Sequence, residues 1–239
     1  ALFGRSGAGK TSIVNMVSGL LKPDEGRIEV DRHVLFDSAM GIDLPPWKRR
    51  IGYVFQEGRL FPHMTVRSNL LYGWRFNSAA QRGLSVEQVI ELLDLGTLLT
   101  RRPGSLSGGE KQRVAVGRAL LSNPRALLMD EPLASLDVLL KNEILPYIER
   151  LDDMGIPILY VSHSLDEVSR LARYLVLVSE GRVSASGSVD QVLSRLELWS
   201  PKDENETGTM LATRVVRHDA EAGLTYLNFR GGELRVPLV

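Results

Sequence analysis

"GRSGAGKT", Gly4 to Thr11, has the residue types and spacing of a phosphate cradle. Gly4, Gly7 and Gly9 let the chain curl, so that the backbone N–H groups along Arg5, Ser6 and Ala8 can face phosphate oxygens. Lys10 adds a point charge for the β- and γ-phosphates of a nucleotide, and Thr11 a hydroxyl for Mg²⁺. An acidic partner comes much later, in "ALLMDE". Its apolar residues mark a buried strand. Asp130 stands at the C-terminal end, where ligands bind in open α/β sheets. Asp130 suits a magnesium ion, and Glu131 is placed to orient and polarise an attacking water. A third stretch, "SLSGGEKQ" over 105–112, sets a serine and a glycine pair at a helix start. Alone it reads as an ordinary cap, yet a helix start is also a seat for an anion.

These groups need a scaffold, and the totals permit one. The chain has 239 residues, 44% of them hydrophobic, enough for one good core and an appendage. Lys+Arg and Asp+Glu are both 29, so no overall basic field points to nucleic acid, and none is expected as a partner. The absence of cysteine excludes disulfides, thiolate zinc sites and cysteine nucleophiles. No apolar run approaches the ~18 residues of a membrane span.

The periodicities alternate between strand and helix. "ALF", the phosphate loop and "SIVNMVSGLL" read strand, loop, helix, with Pro23 and Gly26 ending the helix. Only Ala1–Phe3 precede the loop, so the sequence is expected to start inside a strand, with its N-terminus truncated. "RIEV" and "HVLF" flank Asp31-Arg32 as a hairpin, and "RRIGYVFQ" is a strand ending near Gln56. "WKRR" at 47–50 reads as a solvated turn, and His33 and His218 as residues of β segments without partners. Residues 57–124 carry helical patterns and read as an insertion between strands. "LLKNEILPYIERLDDMG" is helical, with Pro146 expected to kink or restart it. The remaining βα alternation favours a largely parallel sheet covered by helices. "SPKDENETG" reads as a linker over 200–208, and 209–239 as the start of a truncated all-β domain, after a main domain over 1–199.

Taken in order, "GRSGAGKT", "LSGGEKQRVAVGRALL" and "LLMDEP" resemble the ATP-binding-cassette (ABC) ATPases, over nearly all of residues 1–200. The resemblance implies an α/β P-loop cassette with a mostly parallel core sheet, an antiparallel hairpin region and a helical insertion. It implies ATP and Mg²⁺ as ligands. Ser107, Gly108 and Gly109 would bind the γ-phosphate of a nucleotide held by a second copy of the chain, with Gln112 near the same seam. Gln56 matches the glutamine that senses Mg²⁺ and the γ-phosphate, beside Thr11 and Asp130 as metal contacts. In "LASLD", Ser135 and Asp137 would lie across the dimer interface. His163 matches the switch histidine, so Glu131, His163 and Gln56 form the implied catalytic set. Relatives stack adenine on an aromatic residue upstream of the phosphate loop, a position ahead of this sequence.

"GYVFQEGRLFPHMTVRSNLLYG", "PGSLSGGEKQRVAVGRALL" and "PILYVSHSLDEV" are most similar to the ATPases of molybdate importers. That resemblance implies an ATP hydrolase of the translocase class. It would lie peripherally on the cytoplasmic side of the inner membrane, bound to integral-membrane permease subunits and through them to a periplasmic or extracellular substrate-binding protein. An importer for sulfate or tungstate, a soluble ABC ATPase and a P-loop kinase are the alternatives. The kinase has no use for "LSGGE", and the soluble cassettes usually carry two cassettes or a long coiled-coil insertion.

Overall fold

A computed structural model describes residues 1–75, 83–151, 155–194, 213–219, 223–229 and 231–237. The sequence-derived linker over 200–208 lies outside them. The chain divides into two units, Ala1–Val189 and Asp190–Val239.

The first unit is built on a six-stranded sheet. Its strands are β1 (Leu2–Phe3), β5 (Ile51–Val54), β6 (Ala126–Asp130), β7 (Ile158–Ser162), β8 (Tyr174–Ser179) and β9 (Arg182–Ser188), in the order β5-β6-β7-β1-β8-β9. The first five pair in parallel, whereas β9 returns antiparallel on β8. "YLVLVSEGRV" is therefore a hairpin, turned by Glu180 and Gly181 at positive φ. Beside this sheet stand β2 (Arg27–Val30), β3 (His33–Asp37) and β4 (Ile42–Asp43), an antiparallel meander. Asp31 and Arg32 both take left-handed φ at the β2–β3 turn, as the primed hairpin turn requires.

Burial explains the layering. Every residue of β6 is buried, and alternate side chains go to opposite faces. Leu127 and Met129 pack in a cluster with Val114, Leu120, Leu121 and Ile144, from α5 (Gly108–Leu121) and α6 (Val138–Glu149). Leu128 joins Val14 of α1 (Lys10–Ser18), with Leu2, Val161 and Val178. A truncation such as Leu128→Ala would cost about 2–5 kcal/mol. The insertion contains α3 (Val66–Trp74) and α4 (Val86–Leu92), and α5 leads from it back into β6. Asn69 is fully buried and fixes the turn before α3. Its side-chain amide donates to the carbonyls of Phe61, Met64 and Thr65, and its oxygen accepts from Phe61 N–H at 2.8 Å.

Three sequence expectations need correcting. "WKRR" is not a solvated turn: Pro46–Arg49 forms the one-turn helix α2. Trp47 is exposed, but Arg49 is only 1% exposed. Its guanidinium donates to the carbonyls of Met16 and Val17, closing the C-terminus of α1, and to Leu44 O and Asp43. Burial holds this guanidinium below its ordinary pKa, with Asp43 opposing the shift. Next, α6 does not restart at Pro146 but runs from Val138 to Glu149 as one element, anchored by buried Ile144, Leu145 and Ile148 on both sides of the proline. Finally, both histidines have partners: His33 Nδ1 lies 2.6 Å from Asp31 O, and His218 Nδ1 3.0 Å from Thr225 Oγ1.

The second unit holds the short helix α8 (Val189–Leu193, begun at the last residue of the first unit) and a three-stranded antiparallel sheet. The strands are β10 (Arg214–Asp219), β11 (Leu224–Phe229) and β12 (Gly232–Pro237). Arg217 and Arg235 lie over the ring of Tyr226 at 3.8 and 5.3 Å.

Candidate active site

Strand register brings distant sequence segments to one level. Phe3 pairs with Ser162, and Asp130 with Val161, across parallel strands. The loops leaving these strands therefore emerge at the same C-terminal edge: the phosphate loop after β1, Glu131 after β6 and His163 after β7. Gln56 leaves the same edge, two residues beyond β5. This is where parallel α/β sheets collect ligand-binding loops.

The loop over 4–9 is shaped by its glycines. Gly7 and Gly9 take φ of 81° and 99°, left-handed values that cost other residues strain. At Gly4 a Cβ would lie 2.2 Å from the Val178 carbonyl oxygen, so the strand can approach only a glycine. Helix α1 then starts with no side-chain cap and no acidic residue in its first turn. Its N-terminal donors and positive dipole end suit an anion. Lys10 is buried. Its ammonium donates to the carbonyls of Gly4 (2.7 Å) and Arg5 (3.0 Å), and stands 3.6 Å from Glu131 Oε1.

A cavity of about 340 Å³ opens onto this loop, lined by Ser6, Gly7, Gly9, Lys10, Thr11, Ser12, Gln56, Asp130 and Glu131. Thr11 Oγ1 donates to Asp130 Oδ1 at 3.3 Å. The Tyr53 hydroxyl lies 3.2 Å from Asp130 Oδ2 and 3.1 Å from Asn15 Oδ1. Burial, and then the Asp130 charge, push the Tyr53 hydroxyl well above the ordinary tyrosine pKa, so it stays a neutral donor. A threonine hydroxyl, a carboxylate and a glutamine amide on one cavity are hard oxygen donors that suit Mg²⁺. Among the described residues no group of three or more His, Cys, Asp and Glu could hold a metal alone.

Glu131 takes φ 46°, a left-handed backbone unusual for this residue type. Its N–H donates to Val161 O at 2.9 Å, and its carbonyl accepts from Ala134 N–H at 3.1 Å. The side chain meets His163, whose Nδ1 is 3.3 Å from Glu131 Oε2.

The serine-glycine loop lies elsewhere. Ser107 caps α5: its hydroxyl accepts from Glu110 N–H at 3.1 Å, and Glu110 accepts from Ser107 N–H at 2.7 Å, a full capping box. The glycine pair also has a packing reason. A Cβ at Gly108 would sit 2.7 Å from Leu136 Cδ2, and one at Gly109 would sit 3.3 Å from Ile144 Cδ1. Gly108, Gln112 and Ser135 line a second cavity of about 360 Å³ with Gln56, Arg59 and Lys111. Gln56 borders both cavities. Gln112 Nε2 is buried and has no hydrogen-bond partner among the described residues. Asp137 caps α6, accepting from Leu140 N–H at 2.9 Å. Thus one chain gathers the phosphate loop, Gln56, Asp130, Glu131 and His163, while Ser107–Gly109, Ser135 and Asp137 do not line the first cavity.

Sequence reasoning missed Tyr53, Ser12 and the buried arginines. Tyr53 precedes Gln56 within "GYVFQ" and looked like one more strand residue. Arg113 donates to the carbonyls of Leu93 and Asp94, and it sits 5.1 Å from the Tyr147 ring centroid. It thereby ties α5 to the end of α4 and to α6.

This fold and site define a class. The ABC transporter family profile matches residues 1–134, and the chain belongs to that family. Among curated relatives it is similar to the molybdenum import ATP-binding protein ModC of Rhodospirillum rubrum, with 58% identity over 98% of this chain and 64% of that protein. The ModC proteins of Mesorhizobium japonicum and Paramagnetospirillum magneticum are 56% and 55% identical over 99% of this chain. The chain spans just under two thirds of the length of these relatives. Among solved structures, cbiO1 from Clostridium perfringens, part of the ABC transporter complex cbiONQ, superposes with a TM-score of 0.69 at 28% identity, over 82% of this chain and 79% of that one. The ATP-binding cassette MJ0796, in a dimeric post-hydrolysis state bound to ADP and Pi, gives 0.64 at 27% identity, over 79% and 84%. The cassette fold inferred from the motif order is the fold observed.

Proposed function

We propose that the chain is the ATP-hydrolysing cassette of a molybdate importer. The observation that carries this reading is the single cavity holding Lys10, Thr11, Gln56, Asp130 and Glu131, with His163 at its edge, while a second anion loop stands apart from it. One chain offers half of two sites. Two copies, packed with each phosphate loop against the other's Ser107–Gly109, complete both.

In this reading the loop amides and Lys10 bind the β- and γ-phosphates. Thr11, Asp130 and Gln56 hold Mg²⁺, which neutralises charge on the phosphates when bound. Glu131 accepts a hydrogen bond from a water and aims it in line with the γ-phosphorus. A new P–O bond forms as the bond to ADP breaks, and the water's proton leaves with the released phosphate. His163 holds Glu131 on one side and faces the γ-phosphate on the other. Ser135 and Asp137 lie at the seam between copies. Loss of the γ-phosphate removes the charge that ties the two halves, and the dimer opens.

Molybdate as cargo is supported by the names of the relatives at 55–58% identity. Their printed function is import, so the proposed partners are permease subunits and, through them, a substrate-binding protein outside the cytoplasm. The cassette would sit on the inner face of the membrane. No helix among the described residues is long and apolar enough to cross one; the proposed attachment is through those subunits. We extend the proposal to organisation: a main domain over 1–199 with its helical subdomain over 57–124, a linker over 200–208, and a small β domain opening at 209. Uptake of labelled molybdate by the full-length protein with its permease, in competition with tungstate and sulfate, tests the cargo. Preferential competition by sulfate would replace molybdate with another oxyanion.

A further inference from the structure

Outside the nucleotide cavity, Glu167 in α7 (Leu165–Leu171) is a buried carboxylate with side-chain partners on both of its oxygens. Its Oε2 accepts from the Tyr160 hydroxyl at 2.9 Å and from Ser162 Oγ at 2.8 Å, both on β7. Its Oε1 accepts from Lys141 Nζ of α6 at 2.8 Å. Ser162 Oγ also accepts from Ser164 N–H at 3.0 Å, and Ser164 Oγ accepts from Glu167 N–H at 3.4 Å. Ser162, before His163, is therefore fastened to this carboxylate directly, and Ser164, after it, through Ser162 Oγ and the Glu167 backbone N–H. The Tyr160 hydroxyl is driven up in pKa by burial and by the charge of Glu167, which keeps its proton on the bond.

A buried carboxylate is costly unless every lone pair is met, and an apolar side chain would fill the space at less cost. What the carboxylate adds is a link. Lys141 lies one turn into α6, whose first residues hang from the Asp137 cap, so the Ser135–Asp137 loop leads directly into the ion pair. We infer that Glu167 is a positioning residue that joins this loop to the His163 loop, so that the two move as one piece against Glu131. This rests on the reading of Glu131 and His163 as an ATPase site. A partner subunit pressing on Ser135–Asp137 would then set the place of His163, 3.3 Å from Glu131, without touching it.

The test uses the full-length protein with its permease and compares wild type with Lys141→Met, Lys141→Arg and Glu167→Gln. Glu167→Gln keeps the volume and the hydroxyl contacts but loses the charge. The expected result for Lys141→Met is a lower thermal midpoint, because the buried Glu167 charge loses its cation, and a kcat lower by about tenfold at temperatures where the variant is fully folded, with KM for ATP near wild type and with the cooperativity of ATP dependence lost. Lys141→Arg restores both rate and cooperativity. If Lys141→Met folds poorly, Glu167→Gln carries the same expectation. Unchanged kcat and cooperativity in the charge-removing variants, or a rate loss that merely follows the fraction unfolded, overturns the inference. A wild-type complex that hydrolyses no ATP overturns the ATPase reading, and the inference with it. Cooperative wild-type hydrolysis with an unaffected Lys141→Met overturns the inference alone.

Discussion

Nδ1 of His163, just past the end of β7, stands 3.3 Å from Oε2 of Glu131, just past the end of β6. The neighbours are set by the parallel pairing of Asp130 with Val161, which carries both residues to one edge of the sheet. Glu131 is held in a left-handed backbone there, while its other carboxylate oxygen faces Lys10 at 3.6 Å. A carboxylate between Lys10 and His163 is held in direction from both sides, which the proposed in-line attack needs.

Glu131→Gln keeps the shape and the backbone but loses the carboxylate charge that would orient and polarise the water. Turnover of ATP should fall by about 10²–10⁴-fold, with ATP affinity little changed. Steady-state hydrolysis and equilibrium nucleotide binding on the full-length complex check this. Near-normal turnover would remove Glu131 from the chemistry.

Gly4→Ala would drive a Cβ to 2.2 Å from the Val178 carbonyl, a backbone atom of β8 that cannot swing aside. The phosphate loop and β8 must separate, at a cost of about 1–3 kcal/mol. Chemical denaturation measures the loss, and nucleotide affinity should drop with it. A change within about 0.5 kcal/mol would show that the close approach is not needed.

Much of this was legible because phosphate chemistry constrains backbone and side chain together. "GRSGAGKT" and "ALLMDE" disclosed the loop, the helix start and the acidic edge, since glycine at left-handed φ and a fully apolar strand leave local marks. Arg49 and Glu167 left none. Each is a charged residue that looks solvated until tertiary contacts bury it, Arg49 under the end of α1 and Glu167 between β7 and α6. The restart offered at Pro146 does not occur for a related reason: buried residues on both sides of the proline hold Val138–Glu149 as one helix. The antiparallel return of β9 was hidden because Glu180 and Gly181 make a tight turn where the βα rhythm predicts another crossover.

Alkaline pH should weaken the fold through Tyr160. Burial and Glu167 raise its folded-state pKa above the ordinary 10.0. The contribution is therefore fully present below pH 10.0 and is lost as pH rises past it, because the unfolded chain releases the proton first. Tyr160→Phe should cost about 1 kcal/mol near neutrality and then lose less stability than wild type on the alkaline side. Urea midpoints across that range test it. Parallel curves for the two proteins would contradict the assignment.

The split site is tested most directly by sedimentation of full-length Glu131→Gln and of the double variant Glu131→Gln/Ser107→Arg, each saturated with ATP and Mg²⁺. Both should bind ATP with similar affinity, because each keeps its own phosphate loop. The single variant should become a dimer on ATP and not on ADP, and the double variant should stay a monomer. Equal dimerisation of the two, or loss of ATP binding in the monomeric double variant, would contradict a nucleotide held between the phosphate loop of one copy and Ser107–Gly109 of the other.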